Sequence, residues 1–103
     1  MELIRPDITP QELLVVLDAN IDKTQELLSY FSKNSAQYDE IHDSLHTIML
    51  AWAELKTALD RSNEDYIDFI FEVVKKDVHD ELLKKLNGLE MSQKVELNGG
   101  GKA

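Results

Sequence analysis

Three stretches of the chain repeat apolar residues at the three- and four-residue spacing of an amphipathic helix. The first begins after Thr9, which can cap a helix, and Pro10, which suits the first helical turn. Glu12 stands where it would complete a capping box with Thr9. We therefore predict a helix over about residues 10–33. Its apolar stripe is Leu13, Leu14, Leu17, Ile21, Leu28 and Phe31, with Thr24 at a further stripe position.

The other two stretches predict helices of similar length. Ser35 can cap a helix over about residues 36–60, and Ser62 can cap one over about residues 63–87. Asn87-Gly88 would end the third helix in a left-handed turn. The stripes are Tyr38, Ile41, Leu45, Ile48, Met49, Trp52, Leu55 and Leu59 in the second helix, and Ile67, Ile70, Phe71, Val74, Val78, Leu82 and Leu86 in the third. Short links between similar helices predict an all-α, antiparallel three-helix bundle.

Two segments lie outside the predicted helices. Residues 1–8 form an N-terminal arm, and residues 89–103 form a tail. Apolar and polar residues alternate weakly after Ser92, so the tail is predicted to be a short strand or extended segment that ends in a flexible Gly-rich stretch. An alternative architecture is a helical hairpin whose third helix packs on a second chain.

The first and third helices carry more apolar residues than one stripe requires. Tyr66, Phe69 and Val73 form a second face on the third helix, and Leu27 and Tyr30 lie outside the main stripe of the first. We predict that these residues contact another protein, which would be a second copy in a homodimer or larger homo-oligomer or a different partner docked in a groove. The predicted interface is Tyr66, Phe69, Ile70, Val73, Tyr30 and Leu27. The alternative is that a wide stripe serves a helix with two neighbours inside one bundle.

Composition narrows the classes of partner. The 103 residues include 20 acidic and 11 basic ones, for a net charge of −9, which argues against direct binding to nucleic acid. The chain has no cysteine, so disulfides, thiol nucleophiles and Cys-based zinc sites are excluded. Neither a signal peptide nor a membrane-spanning run is apparent, and we expect a soluble cytoplasmic protein.

One short motif could carry chemistry. In the segment HDSLH, His42 and His46 are four residues apart on one helix, as in the His-Glu-x-x-His zinc motif, but Asp43 stands in place of the glutamate. A third ligand would have to come from His79 or a nearby aspartate. The favoured interpretation is a solvated helix edge, so we expect no metal, no cofactor and no enzymatic activity.

The expected function is a small, acidic, non-enzymatic protein–protein interaction module. It would be an adaptor, a chaperone-like partner or an inhibitor that self-associates through the third helix. One alternative is an acidic decoy from a phage or mobile element that imitates nucleic-acid charge. A second alternative is a metal-binding helical protein that uses His42 and His46.

Overall fold

The computed structural model describes residues 1–100, with side chains described through residue 93. Over this range the chain is all-helical, which confirms the predicted class. The helices are α1 (Pro10–Leu28), α2 (Ala36–Arg61), α3 (Glu64–Asp77) and α4 (Asp80–Gly100). The described residues thus hold four helices rather than the three predicted. The end of the predicted tail, residues 101–103, lies outside them.

The capping box at the start of α1 is formed as the sequence predicts. The Glu12 N–H donates to Thr9 Oγ1 at 3.2 Å, and the Thr9 N–H donates to Glu12 Oε1 at 3.2 Å. The helix ends at Leu28 instead of continuing to residue 33. Ser29 Oγ donates to the Glu26 carbonyl at 2.6 Å, and tight turns follow through the serine-rich link. Such serine bonds compete with the helical pattern and account for the earlier end.

A two-residue turn reverses the chain between α2 and α3. Ser35 caps α2, as predicted, by accepting from the Tyr38 N–H at 3.1 Å. Ser62 does not cap the next helix: it ends α2 in the left-handed region, at φ 57° and ψ 27°. The cap of α3 is Asn63, whose Oδ1 accepts from the Tyr66 N–H at 3.1 Å.

The third predicted helix is present as two helices separated by Val78 and His79. Val78 leaves the helical region at φ −107° and ψ 66°. His79 then caps α4, because its Nδ1 accepts from the Leu82 N–H at 3.2 Å. Lys85 of α4 pairs with Glu40 of α2 at 2.9 Å, and the two residues are nearly equidistant along the chain from the α2–α3 turn. α4 therefore continues antiparallel to α2, in the same general direction as α3.

The expected helix stop at Asn87-Gly88 is wrong. α4 passes through both residues, and Gly88 does not adopt a positive φ. The Asn87 side chain instead hydrogen-bonds the main chain of Met1, so it is not available for a turn. The segment from residue 89 to residue 100 is accordingly helical rather than extended.

The hydrophobic core follows α2, which packs against both α1 and α3. Each helix and the arm contribute fully or nearly fully buried side chains, among them Ile8, Leu13, Leu17, Ile41, Ile48, Leu55, Val74, Leu83 and Leu86. The molecule measures 57 × 27 × 18 Å, with a radius of gyration of 15.5 Å, against about 13 Å for a compact domain of this length. The end-to-end placement of α3 and α4 explains the elongation. Among the described helices, none combines the length and apolar character that crossing a bilayer requires.

Candidate interaction surface on α3

The outer face of α3 is formed by Tyr66, Phe69 and Val73. Its position follows from the inward direction of Ile70 and Val74, which are buried against α2 and the rest of the core. Residues one position away along a helix point about 100° away, so the outer face turns from the core. Phe69 is 63% exposed, and Tyr66 and Val73 are half-buried on either side of it.

Charged side chains border the outer face. The Arg61 guanidinium lies 5.5 Å from the centroid of the Tyr66 ring, within the range of a cation–π contact. Lys75 Nζ lies 4.2 Å from the Phe71 ring centroid and 3.0 Å from Glu72 Oε1. Arg61 and Glu72, which is three residues after Phe69, thus border the outer face, whereas Phe71 and Lys75 lie about 120–160° around the helix from Phe69.

The two lysines of α3 both lie in its last turn, next to Asp77, while acidic residues occupy its first turn. Glu64 and Asp65 occupy the first turn, and Lys75 and Lys76 occupy the last. Acids at the N-terminus and bases at the C-terminus oppose the helix dipole and stabilise the helix. Only Asp65 and Lys76 of these residues lie on the side of α3 that carries Phe69, one toward each end of the outer face.

The remaining predicted contact residues do not join this surface. Leu27 and Ile70 are buried in the core, at 2% and 7% exposure. Tyr30 is exposed in the link that follows α1, at the end of α2 opposite the start of α3, and its hydroxyl bonds Glu26 at 3.1 Å. The structure thus brings together Tyr66, Phe69 and Val73 and separates the other three from them.

The histidines of the HDSLH segment lie on the exposed side of α2. His42 stacks on Tyr38 with ring centroids 6.2 Å apart, and His46 and Asp43 are also exposed. Among the side chains that the structure describes, no group of three or more histidines and acids is placed to hold a metal ion. His79 is remote in sequence and uses Nδ1 as the cap of α4. The predicted pair therefore has no third ligand within the described part of the chain.

Sequence reasoning missed two asparagines that bind the N-terminal arm. Asn20 of α1 is 1% exposed, and Asn87 of α4 is half-buried. A signal existed for Asn20, because it falls between Leu17 and Thr24 at core-facing spacing, and a buried amide needs a polar partner. Asn87 carried no such signal, since Asn before Gly is typical of a turn.

The carboxyl group of Glu12, in the first turn of α1, has a lowered pKa. Hydrogen bonds from Thr9, from its side chain and then its backbone, lower the pKa of the Glu12 carboxyl, and Arg5 lowers it further. Glu12 is fully exposed, so this is a local effect of the capping box. The ion pair between Arg5 and Glu12 joins the arm to the first turn of α1.

Comparison of the chain with models of known protein families, with curated proteins and with solved structures gives no match. Function is therefore inferred from the geometry of this chain alone. The outer face of α3 offers aromatic and aliphatic contact area inside a charged rim. Those are the chemical properties of a surface that binds protein.

Proposed function

We propose that this chain is a small non-enzymatic protein-interaction module that self-associates through the outer face of α3. The observation that carries the proposal is the 63% exposure of Phe69 in the middle of a helix, between the half-buried Tyr66 and Val73. Burying a phenylalanine side chain contributes about 1.5–3 kcal/mol relative to leaving it in water. Aromatic side chains at the centre of a patch are also the commonest energetic anchors of protein interfaces.

The charge pattern of α3 favours a second copy as the partner. In a two-fold interface, a residue contacts its own symmetry equivalent, or two different residues contact each other twice, once on each side of the axis. If two α3 helices cross antiparallel at Phe69, Asp65, which lies on the Phe69 side of the first turn, approaches Lys76, which lies on the same side of the last turn. The same crossing places the two phenylalanines against each other. Opposite charges then lie at both ends of an apolar contact.

The size of the patch predicts a weak, concentration-dependent dimer. Stable complexes bury about 1,200–2,000 Å² in total, whereas the outer face has one largely exposed aromatic and two half-buried neighbours. The net charge of −9 adds repulsion between whole molecules. We therefore expect a rapidly exchanging monomer–dimer equilibrium.

Light scattering across a dilution series tests the proposal, with Phe69→Lys as the disrupting variant. A lysine at position 69 lies four residues after Asp65 and three before Glu72, so it can form favourable pairs and α3 stays stable. The matched control is Val15→Lys on α1, because Val15 is 69% exposed and Asp18 lies three residues on. We expect the average mass of wild type to rise from 11.8 kDa toward twice that value with concentration.

Phe69→Lys should remain a monomer over the whole series, and Val15→Lys should behave as wild type. Circular dichroism must show the same helical content in all three proteins. A wild-type mass that stays at the monomer value at every concentration rejects self-association. Equal dimerisation by wild type and Phe69→Lys would instead show that the dimer uses another surface.

A further inference from the structure

The N-terminal arm, residues 1–8, lies in a groove with α1 on one side and α4 on the other. On the α1 side, Asn20 Nδ2 donates to the Glu2 carbonyl oxygen at 3.0 Å, and Asn20 Oδ1 accepts from the Glu2 N–H at 3.0 Å. Asn20 is 1% exposed, so water competes little with these bonds. A carboxamide that pairs with both polar groups of one residue recognises main chain and is indifferent to the side chain there.

The α4 side holds the arm at two points. Asn87 Nδ2 donates to the Met1 carbonyl oxygen at 3.1 Å, and its Oδ1 accepts from the Met1 nitrogen. Asp80 Oδ1 accepts from the Ile4 N–H at 3.2 Å. The seven residue-to-residue steps from Asp80 to Asn87 in the helix span about 10.5 Å, and the three steps from Met1 to Ile4 in an extended chain span about 10 Å. This match requires an extended arm that runs antiparallel to α4.

Apolar side chains of the arm point into the groove at two positions. Met1 Sδ lies 3.3 Å from the hydroxyl of the buried Thr24, and Ile4 is half-buried against the core. Glu2 and Leu3, between them, are exposed. The groove thus accepts apolar side chains at the first and fourth positions of an extended segment and leaves the second and third positions unselected.

We infer that this groove is a binding site for an extended segment of another protein, with apolar side chains at two positions three residues apart. The arm is its intramolecular occupant and competitor. Over residues 1–4 the groove binds the arm through main-chain hydrogen bonds and two apolar contacts, none of which uses the covalent link to α1; Ile8, which is buried in the core, adds an apolar contact beside that link. A segment of the same pattern can therefore make the same contacts in trans.

Competition by the arm sets the apparent affinity of such a segment. A short tether holds the arm at an effective concentration in the millimolar range. The affinity of a free segment is then reduced by the small fraction of molecules whose groove is open. Weakening the arm without altering the groove should raise that fraction, and Ile4→Ser does so because Ile4 belongs to the arm.

Fluorescence anisotropy with a labelled peptide tests the inference. The probe is the peptide MELIRPDI, residues 1–8, with a fluorophore at its carboxyl end. We expect it to bind the full-length Ile4→Ser protein roughly tenfold to hundredfold more tightly than wild type, because the competing arm has lost the burial of one isoleucine. The same peptide with Ile4→Ser should bind neither protein measurably.

Two further variants separate the groove from other surfaces. Adding Asn20→Ala to the Ile4→Ser protein should abolish peptide binding, since Asn20 belongs to the groove. Adding Phe69→Lys should leave peptide binding unchanged, so a failure of α3 self-association is distinguishable from a failure of this site. If Ile4→Ser does not fold by circular dichroism, Ile4→Ala opens the groove with a smaller loss of apolar surface.

Three results would overturn the inference. The first is equal affinity of the peptide for wild type and the folded Ile4 variant. The second is equal binding of the MELIRPDI peptide and its Ile4→Ser form. The third is a wild-type dimer that dissociates when the peptide is added but that the Phe69→Lys substitution does not disrupt. Such a dimer would hold the arm of a second copy in the groove.

Discussion

Gly88 is a glycine inside a helix, a position at which the absence of a side chain lowers stability. After an asparagine it is typical of a left-handed helix end, yet in the structure it lies inside α4 with an ordinary helical backbone. A Cβ built at this position meets nothing within 4 Å. The glycine therefore gives α4 no packing advantage and only raises the conformational entropy that folding must overcome.

Gly88→Ala should stabilise the protein by about 0.5–1 kcal/mol, because alanine favours the helix and the site has room. Chemical denaturation monitored by circular dichroism measures the change. Ser92→Ala, at another exposed α4 position, is the matched control and should change the free energy of unfolding by less than about 0.5 kcal/mol. A destabilised Gly88→Ala protein would show that α4 ends at this glycine in solution.

Glu12 makes a pH-dependent contribution to the free energy of unfolding. Its pKa in the folded state lies below the ordinary value of 4.5, because Thr9 and Arg5 favour the ionised carboxylate. A lowered pKa in the folded state means that the stabilisation is complete above about pH 4.5 and is lost as the pH falls through the folded-state pKa. Stability therefore falls with decreasing pH, because the ionised carboxylate binds Thr9 and Arg5 better than the protonated form does.

Glu12→Gln should lower the midpoint of thermal unfolding at neutral pH, with a difference from wild type that closes as the pH falls below about 4.5 and through the folded-state pKa. Thermal scans across this pH range measure it. Thr9→Ala serves as the control, because it removes the largest cause of the pKa shift while keeping the carboxylate. In that background the effect of Glu12→Gln should be smaller at neutral pH. A difference independent of pH would contradict the capping box as its origin.

At the scale of elements, the turn between α2 and α3 depends on a strained residue. Ser62 is the only non-glycine residue with a positive φ in the described chain, at 57°. An L-residue in this region costs roughly 1–2 kcal/mol relative to a right-handed conformation. The turn nevertheless forms, because Asn63 caps α3 directly after it and α3 packs on α2.

Ser62→Gly should stabilise the protein by about 0.5–1 kcal/mol, since glycine adopts this backbone conformation without strain. Introducing a glycine is favourable here, whereas removing one is favourable at position 88. The two positions differ in the sign of φ, which is positive at Ser62 and not at Gly88. Ser62→Ala is the control and should fall within about 0.5 kcal/mol of wild type. Urea denaturation distinguishes the two, and a loss of stability in Ser62→Gly would argue that the left-handed turn is absent.

The elements that could be predicted from the sequence are those fixed by neighbouring residues. Thr9 and Ser35 cap their helices through bonds three residues away, so the sequence pattern contains the whole interaction. The break at Val78-His79 is accompanied by a local bond, from the Leu82 N–H to His79 Nδ1, but the residues that flank it and Gly88 in α4 also contact distant residues. Asp80 accepts from the Ile4 N–H, and Asn87 binds Met1. The sequence around Asp80 or Asn87 does not indicate these partners.

The same distinction applies to the candidate surface. Tyr66, Phe69 and Val73 were placed on one face by helical spacing alone, and the structure leaves that face partly exposed. Leu27 was included in the predicted interface because it lies outside the main stripe of its helix, and Ile70 was included as a neighbour of Phe69, but both are buried in the core. Helical spacing gives the direction of a side chain and does not say which elements will pack against it.

For the molecule as a whole, the arm bridges α1 and α4. It connects Asn20 of α1 with Asn87 of α4 through the main chain of Glu2 and Met1. If the arm docks as one unit, loss of either asparagine loosens the contacts of the other. The two side chains are then coupled energetically although no direct hydrogen bond joins them.

A double-mutant cycle measures this coupling. Asn20→Ala and Asn87→Ala should each cost about 1–3 kcal/mol, because each leaves main-chain groups of the arm without partners. The double variant should fall short of the summed loss by at least about 1 kcal/mol, since an arm released by the first change has little left to lose. As a control, Asn20→Ala combined with Ser35→Ala, the cap of α2, should be additive within about 0.5 kcal/mol. Additive losses for Asn20 and Asn87 would mean that the two ends of the arm bind independently, and that the bundle does not need the arm as a single closing element.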